Sequence, residues 1–400
     1  MKLEDYREIS SRCSQCNFCQ ASCPVFRIKG TENWVARNRL NLIREVLIEK
    51  KMEVTPRFRE ILDTCLLCTG CTQNCSSMVP VDEIIIAARK ELADSENGLA
   101  SMKKKLFSGV IKNSSAMNLL VKAGAMAQKL GITPDSMPGM TAKPFFSRRS
   151  GTLKPAETPR ARVAYYAGCG TNFFYPETGE AVSDILLALN NEVVIPEGLT
   201  CCGVPLLAEG NIDGAAEIFR RNIEVLAATE CDRIIMECTS CIMMFMKKGA
   251  KLFPADDPII EKIQTVTSKI DNALDYISMT SGEEIKTDAL NEKKFTYHVP
   301  CHLNKSAGNS ENTAGLLASL TGSEYIPLDE PELCCGAGGV YYMKDRELSE
   351  TIRNIKLMDI KKSGASTVVT ECPMCRFYIN KGLTDIEVIH PMELLSRAVK

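Results

Sequence analysis

Apolar residues are spaced in two ways along this chain, and the change of spacing divides it. Up to about residue 95 they recur at helical intervals. Leu40, Ile43, Val46 and Leu47 fall on one face of a helix expected over Arg39–Lys51. Asp82 is placed as the N-cap of a second helix running through Ile85, Ile86 and Ala88 to Leu92. From residue 161 short, unalternated apolar runs take turns with helical segments. Strands are expected at Arg162–Tyr166, Glu192–Ile195 and Asp232–Met236, with helices at Thr178–Leu189 and Asp213–Ala228. The same succession returns as strands at Phe295–Val299, Glu324–Leu328 and Ser366–Thr370, with helices at Asn312–Leu320 and Arg346–Lys361. Strands apolar on both faces, interleaved with helices, predict parallel sheets covered by helices. Between these regions lie an amphipathic portion, about Leu106 to Leu130, and a Pro/Gly/Ser-rich portion from Thr133 to Pro159 that carries Arg148 and Arg149. The second portion reads as a surface-wrapping linker. Lys103, Lys104 and Lys105 read as a solvated helix face, with docking on acidic lipid or an acidic partner as the alternative.

The cysteines sharpen this division. Of nineteen, eighteen fall into four blocks. The first is Cys13, Cys16, Cys19 and Cys23, followed by Pro24; the second is Cys65, Cys68, Cys71 and Cys75. The third and fourth share another layout, a lone Cys, then Cys-Cys-Gly, then Cys-x-x-Cys. They are Cys169, Cys201, Cys202, Cys238 and Cys241, then Cys301, Cys334, Cys335, Cys372 and Cys375. Cys169 to Cys301, Cys201 to Cys334 and Cys238 to Cys372 are separated by 132, 133 and 134 residues, so the second half of the chain is a duplicated unit. The expected division is 1–95 for the first two blocks, 96–160 for the linker, 161–285 and 286–400 for two similar α/β lobes. In each lobe the lone Cys and the Cys-x-x-Cys stand just beyond carboxyl ends of strands, where ligands collect in such sheets.

Composition narrows the chemistry. A disulfide scaffold does not suit a 400-residue chain with tight Cys-x-x-Cys spacings and no apolar stretch at its start. Thiolate ligands fit a reducing cytoplasm, and a cytoplasmic location is expected, at the inner face of a membrane only through a partner. Net charge is −2 without a long basic stretch, which excludes electrostatically driven nucleic-acid binding. No apolar run approaches the ~20 residues that span a bilayer, so peripheral membrane association at most is expected.

Cys-x-x-Cys-x-x-Cys-x-x-x-Cys is the bacterial ferredoxin run for cubane 4Fe–4S clusters, whose fourth Cys serves the other cluster of a pair. By that rule Cys13, Cys16, Cys19 and Cys75 hold one cluster, and Cys65, Cys68, Cys71 and Cys23 the other. Zinc is the alternative occupant, but zinc ribbons rarely place a third and fourth Cys at these intervals. Ser76 stands where proline follows the first block. Each lobe offers five cysteines where a cubane needs four. Either one is spare, or the cluster is non-cubane with two subsites sharing a thiolate. Gly203 and Gly336 are expected to let the backbone approach the cluster.

At Tyr166-Ala-Gly-Cys169-Gly-Thr-Asn, Cys201-Cys-Gly-Val-Pro205, Pro300-Cys-His-Leu303, Cys334-Cys-Gly-Ala-Gly-Gly339 and Cys372-Pro-Met-Cys375 the chain resembles the cysteine-rich (CCG) domain. With two ferredoxin blocks ahead, it resembles a group that includes the iron–sulfur subunits of glycolate or lactate oxidase and of anaerobic glycerol-3-phosphate dehydrogenase, and the cluster-bearing catalytic subunit of heterodisulfide reductase. The resemblance implies an α/β chain, an N-terminal α-helical two-cluster ferredoxin domain followed by two duplicated α/β CCG lobes. It implies two cubane 4Fe–4S clusters, and one or two further clusters in the lobes that in heterodisulfide reductases are non-cubane and cleave a disulfide.

Outside the blocks, Cys231 reads as a buried structural thiol. His302 reads as a hydrogen-bond donor to a cluster sulfur, a proton donor to a thiolate, or a turn residue without a chemical role. His298 and His390 read as strand-end residues, and Ile242–Met246 as core packing, with a docking surface for a partner as the alternative. No Gly-x-Gly-x-x-Gly and no P-loop occur, so no flavin, NAD or ATP site is visible. The expected role is an electron-transfer subunit, with no catalytic residue assigned. A FAD-linked 2-hydroxyacid dehydrogenase complex leads, the chain carrying electrons between a flavoprotein and a quinone, cytochrome or carrier. The alternative is catalytic disulfide reduction with a b-type cytochrome or flavoprotein partner.

Overall fold

The computed structural model describes residues 1–95, 106, 108–132, 137–280, 290, 294–303 and 309–399. Lys103, Lys104 and Lys105 lie outside them. The N-terminal unit is a set of short helices around the two cysteine blocks. The expected helix at Arg39–Lys51 begins earlier, at Ala36, and turns at Arg44–Ile48 into a π-helix. The wider turn brings Ile48 rather than Leu47 to the buried face beside Leu40, Ile43 and Val46. Helix Val81–Asp94 is buried nearly all round, as a helix apolar on every side should be. Asp82 does not cap it. Pro80 occupies the cap position, and the Asp82 carboxylate, in the first turn, accepts from Thr72 Oγ1 at 2.7 Å and pairs with Lys248 Nζ at 2.5 Å. A partner 166 residues away outcompetes the local cap.

The lobes repeat one topology. The first sheet contains β1 (Gly151–Leu153), β2 (Arg162–Tyr165), β3 (Glu192–Ile195), β4 (Arg233–Met236) and β5 (Ile270–Asn272), in the order β1-β3-β2-β4-β5. The second contains β6 (Lys294–Tyr297), β7 (Glu324–Tyr325), β8 (Thr367–Val369) and β9 (Glu387–Ile389), in the order β7-β6-β8-β9. All pairings are parallel except β1 on β3, so β3-β2-β4-β5 and β7-β6-β8-β9 are the same arrangement made twice. Strand β7 stops short of the expected Leu328 because Pro327 has no N–H to give the ladder. Strands β5 and β9 are only three residues long and carry too little pattern to read.

Within the stretch read as linker, β1 adds an antiparallel edge, and Phe145 is fully buried edge-on against Tyr165, ring centroids 5.7 Å apart. Helix Ser114–Lys129 buries Val121 and Ala125 and exposes Leu119, Leu120 and Met126. The lobes share a core in which Tyr165, Val193 and Ile235 of one pack with Phe295, Tyr297 and Leu395 of the other. Among the described residues, no helix is long and apolar enough to cross a membrane.

Candidate iron–sulfur sites

In the N-terminal unit the cysteines sort into two pockets. Cys13, Cys16, Cys19 and Cys75 line one, with Cys71 on its wall; Cys23, Cys65, Cys68 and Cys71 line the other. The two blocks fold alike. Gln15 and Asn17 flank Cys16 with φ of 57° and 69°, and Leu67 and Thr69 flank Cys68 with φ of 52° and 60°. Left-handed residues on either side of a cysteine curl the loop so that backbone N–H groups converge on an anionic guest. For leucine that conformation is costly, and such strain gathers at functional sites. Leu67 N–H reaches Cys65 Sγ and Val79 N–H reaches Cys75 Sγ, each at 3.4 Å. Ser76 has a use that proline could not serve, since its hydroxyl is 3.5 Å from Cys16 Sγ and helps hold that thiol below its ordinary value, after the Phe18 N–H. Arg89 ties the second block down, donating to the carbonyls of Leu62 (2.8 Å), Cys65 (2.7 Å) and, in the first lobe, Ala208 (2.7 Å).

In both lobes the lone Cys and the Cys-x-x-Cys follow strand ends, β2 and β4 in the first and β6 and β8 in the second. Cys169 and Cys201 sulfurs are 3.4 Å apart, and Cys335 and Cys375 sulfurs 3.3 Å apart. Cys202 is pulled down to about 6 by hydrogen bonds from Cys201 and Cys241 against burial, in the field of Cys169 and Cys238. Its counterpart Cys335 is likewise held well below its ordinary value, by Cys334 and Cys375. Cys301 and Cys372 lie in the same field. All nineteen thiols are free, and buried like-charged sulfur groups of this kind fit a multinuclear iron site rather than disulfides.

The glycines differ from expectation. Gly203 and Gly336 have φ of 99° and 86°, but a Cβ there would meet Ala215 O at 3.3 Å and Ser349 O at 2.5 Å, backbone of the following helix. It is Gly168 whose Cβ would meet a sulfur, Cys241 Sγ at 2.9 Å.

A pair of buried carboxylates went unread. Glu237 and Glu371 precede Cys238 and Cys372 and are 1% exposed. Glu237 accepts from Thr171 and burial raises it to about 7; Glu371 accepts from Tyr297 and from Asn272 at 2.6 Å, and burial raises it to about 6. The repeat offset was the available signal.

The sites touch one another. Thr69 Oγ1 donates to Cys301 O at 3.2 Å, so the second ferredoxin-type block abuts the second lobe. His302 lies between Ser240 and Leu67. A Cβ on Gly170 would strike Pro373 at 2.6 Å, which measures how closely the lobes meet beside Cys169 and Cys372. A cavity of about 1020 Å³ opens where Cys23 and Cys68 face Cys301 and Cys334, and the Arg27–Glu330 pair (2.5 and 2.7 Å) bridges its edge. Cys231 stands apart. Burial raises its thiol, and Lys269, the Ala164 N–H and Asp232 act on it rather than other sulfurs. Met243, Met244 and Phe245 are core residues, while Met246 is half exposed. His390 caps helix Pro391–Ala398 and bonds Glu237 O at 3.2 Å.

Residues 9–79 match the 4Fe-4S dicluster domain, and residues 163–246 and 295–380 each match the cysteine-rich domain, CCG. The chain belongs to the CCG iron–sulfur subunit family. Iron–sulfur clusters are thus its cofactors. Among relatives of this family member, a fumarate reductase (CoM/CoB) subunit of Methanothermobacter marburgensis is 25% identical over 409 residues, all of this chain and 74% of the relative. The glycolate oxidase iron-sulfur subunit of Escherichia coli is 25% identical over 403 residues, 97% of this chain and 94% of the relative. Lactate utilization protein A of Bacillus licheniformis is 29% identical over 240 residues, 59% of this chain and 99% of the relative. A crystal structure of a hypothetical protein from Helicobacter pylori shares the fold, with TM-score 0.55 and 8% identity over all of this chain and 72% of that one.

Proposed function

We propose that this chain is the iron–sulfur electron-transfer subunit of a FAD-linked 2-hydroxyacid dehydrogenase complex of the glycolate or lactate type. It carries electrons between a flavoprotein partner and a downstream quinone, cytochrome or carrier. In this reading Cys13, Cys16, Cys19 and Cys75 hold one cubane 4Fe–4S cluster, and Cys65, Cys68, Cys71 and Cys23 the other. Cys169, Cys201, Cys202, Cys238 and Cys241 hold a further cluster, as do Cys301, Cys334, Cys335, Cys372 and Cys375. Bound clusters supply one-electron transfer. The protein's own part is to offer converging N–H groups and the Ser76 hydroxyl to the sulfurs, and to bury the lobe sites from water.

The observation that carries this reading is the end-to-end correspondence with the glycolate oxidase subunit, 94% of whose length is matched against 74% for the fumarate reductase subunit. The test is anaerobic purification of the complex from its native host, with its absorption spectrum and released cofactors. A flavin-bearing partner that is reduced by a 2-hydroxyacid supports the proposal. A b-type haem without flavin would overturn it.

One observation favours a second reading, disulfide reduction in this chain. Both lobes keep five cysteines, and a cavity of about 1020 Å³ reaches Cys301 and Cys334. Reduced protein should then be reoxidised by a disulfide; no reoxidation with clusters intact removes that reading.

A further inference from the structure

The residue that follows the first parallel strand differs chemically between the two lobes. Tyr166 and His298 directly follow the ends of β2 and β6, separated by the same 132 residues as Cys169 and Cys301. Tyr166 uses its single O–H on the Thr200 carbonyl, 2.7 Å away. His298 is 1% exposed, and among the described residues neither ring nitrogen has a hydrogen-bond partner of ordinary geometry. A ring nitrogen, Cys335 Sγ and Cys375 Sγ all lie within 4.8 Å of one another. Even as the neutral imidazole the ring keeps one N–H to give.

A buried polar group left unpaired calls for an explanation. The sulfurs facing it supply one. Five thiolates already exceed the four corners of a cubane, so nitrogen is not needed as an iron ligand. We propose that His298 donates its N–H to the sulfur edge formed by Cys335 and Cys375 in the second-lobe cluster, and thereby raises that cluster's reduction potential above that of the first-lobe cluster. The proposal rests on the reading that the second lobe holds a cluster. A proton donor on a thiolate sulfur withdraws negative charge and favours the reduced state, as hydrogen bonds to cluster sulfurs do generally. The ferredoxin-type unit abuts the second lobe at Cys301. Electrons arriving there settle beside the cavity lined by Cys301 and Cys334 instead of passing on to the first lobe.

The experiment compares wild type, His298→Tyr and His298→Gln in the anaerobically purified full chain, by potentiometric titration followed by electron paramagnetic resonance. Tyr places the first lobe's residue in the second; Gln keeps an N–H donor. One lobe cluster should shift to lower potential in His298→Tyr, and less in His298→Gln, with iron content and the other potentials unchanged. Unchanged potentials in an iron-replete His298→Tyr protein overturn the proposal. Should that variant lose iron, wild-type protein carrying 15N-labelled histidine decides. A weak nitrogen coupling on the reduced cluster, with an exchangeable proton, supports the hydrogen bond, whereas no coupling or a strong, directly bonded nitrogen overturns it. The underlying reading is checked separately by Cys335→Ser, which fails it if total iron does not fall.

Discussion

The Ser240 hydroxyl and His302 Nδ1 are 2.9 Å apart, and this contact joins the two lobes at their cysteine-bearing ends. Ser240 stands between Cys238 and Cys241, and His302 directly follows Cys301. The other ring nitrogen faces Leu67 O at 3.3 Å, and a carbonyl can only accept. Nε2 therefore carries the proton, and Nδ1 accepts from Ser240. One imidazole thus connects the first lobe, the second lobe and the second ferredoxin-type block.

Ser240→Ala leaves the partly buried Nδ1 without this donor, at a cost of about 1 kcal/mol. The variant should unfold at lower denaturant than wild type while keeping its iron. An unchanged midpoint would show that the contact contributes nothing to stability.

Lys248 is 6% exposed and lies 2.5 Å from Asp82 and 2.7 Å from Glu83, tying the first lobe to the N-terminal unit. Lys248→Met would leave buried carboxylates without their cation, which typically costs about 3–5 kcal/mol. Lys251, 2.7 Å from Glu83 but half exposed, offsets part of this, so the lower end of the range is expected. Equilibrium denaturation measures it; a loss under about 1 kcal/mol would place the pair with weak surface bridges.

The pockets pair each block's first three cysteines with the other block's last. Cys75→Ser should therefore disturb the resonance signal of the cluster on Cys13, Cys16 and Cys19, and Cys23→Ser that of the cluster on Cys65, Cys68 and Cys71. The reverse pattern would refute the shared-ligand assignment.

The duplicated lobes were legible because each landmark recurs at nearly one offset, and because strand and helix signals are local. The sites' long-range partners were not. Asp82 looks like a cap because cap chemistry is local, whereas Lys248 is brought to it only by folding. Leu47 lost its buried place to Ile48 through a π-turn that no 3.6-residue pattern announces. Glu237 and Glu371 were hidden by their charge, since acidic residues rarely go fully inside without a partner. His298 read as a bland strand end because nothing in the sequence tells which sulfur a strand-end side chain will face.

Cys231 tests the boundary of the ligand set from the other side. Its thiol packs in the first lobe's core without a sulfur neighbour among the groups that act on it. Cys231→Ser should leave iron content unchanged and cost about 1 kcal/mol for a hydroxyl in a less polar place. Loss of iron would make Cys231 a ligand.

His390 gives the fold an acid limb. Burial pushes its imidazole down from 6.5 to about 3. The unfolded chain takes up a proton below pH 6.5 that the folded chain refuses until near pH 3. Its contribution to stability is therefore complete above pH 6.5 and lost as pH falls through that window, by up to about 1.4 kcal/mol per pH unit. Glu237 and Glu371, raised to about 7 and about 6, work in the opposite sense, because the folded state holds their protons first on acidification. Comparing wild type with His390→Asn isolates the histidine. Asn can still accept from the Met392 N–H as an N-cap, and it does not titrate. The stability advantage of wild type over this variant should level off above about pH 7.5 and shrink between pH 6.5 and 5 with a slope that approaches about 1.4 kcal/mol per unit. A gap that stays constant across that range would mean that His390 is protonated in the folded protein too.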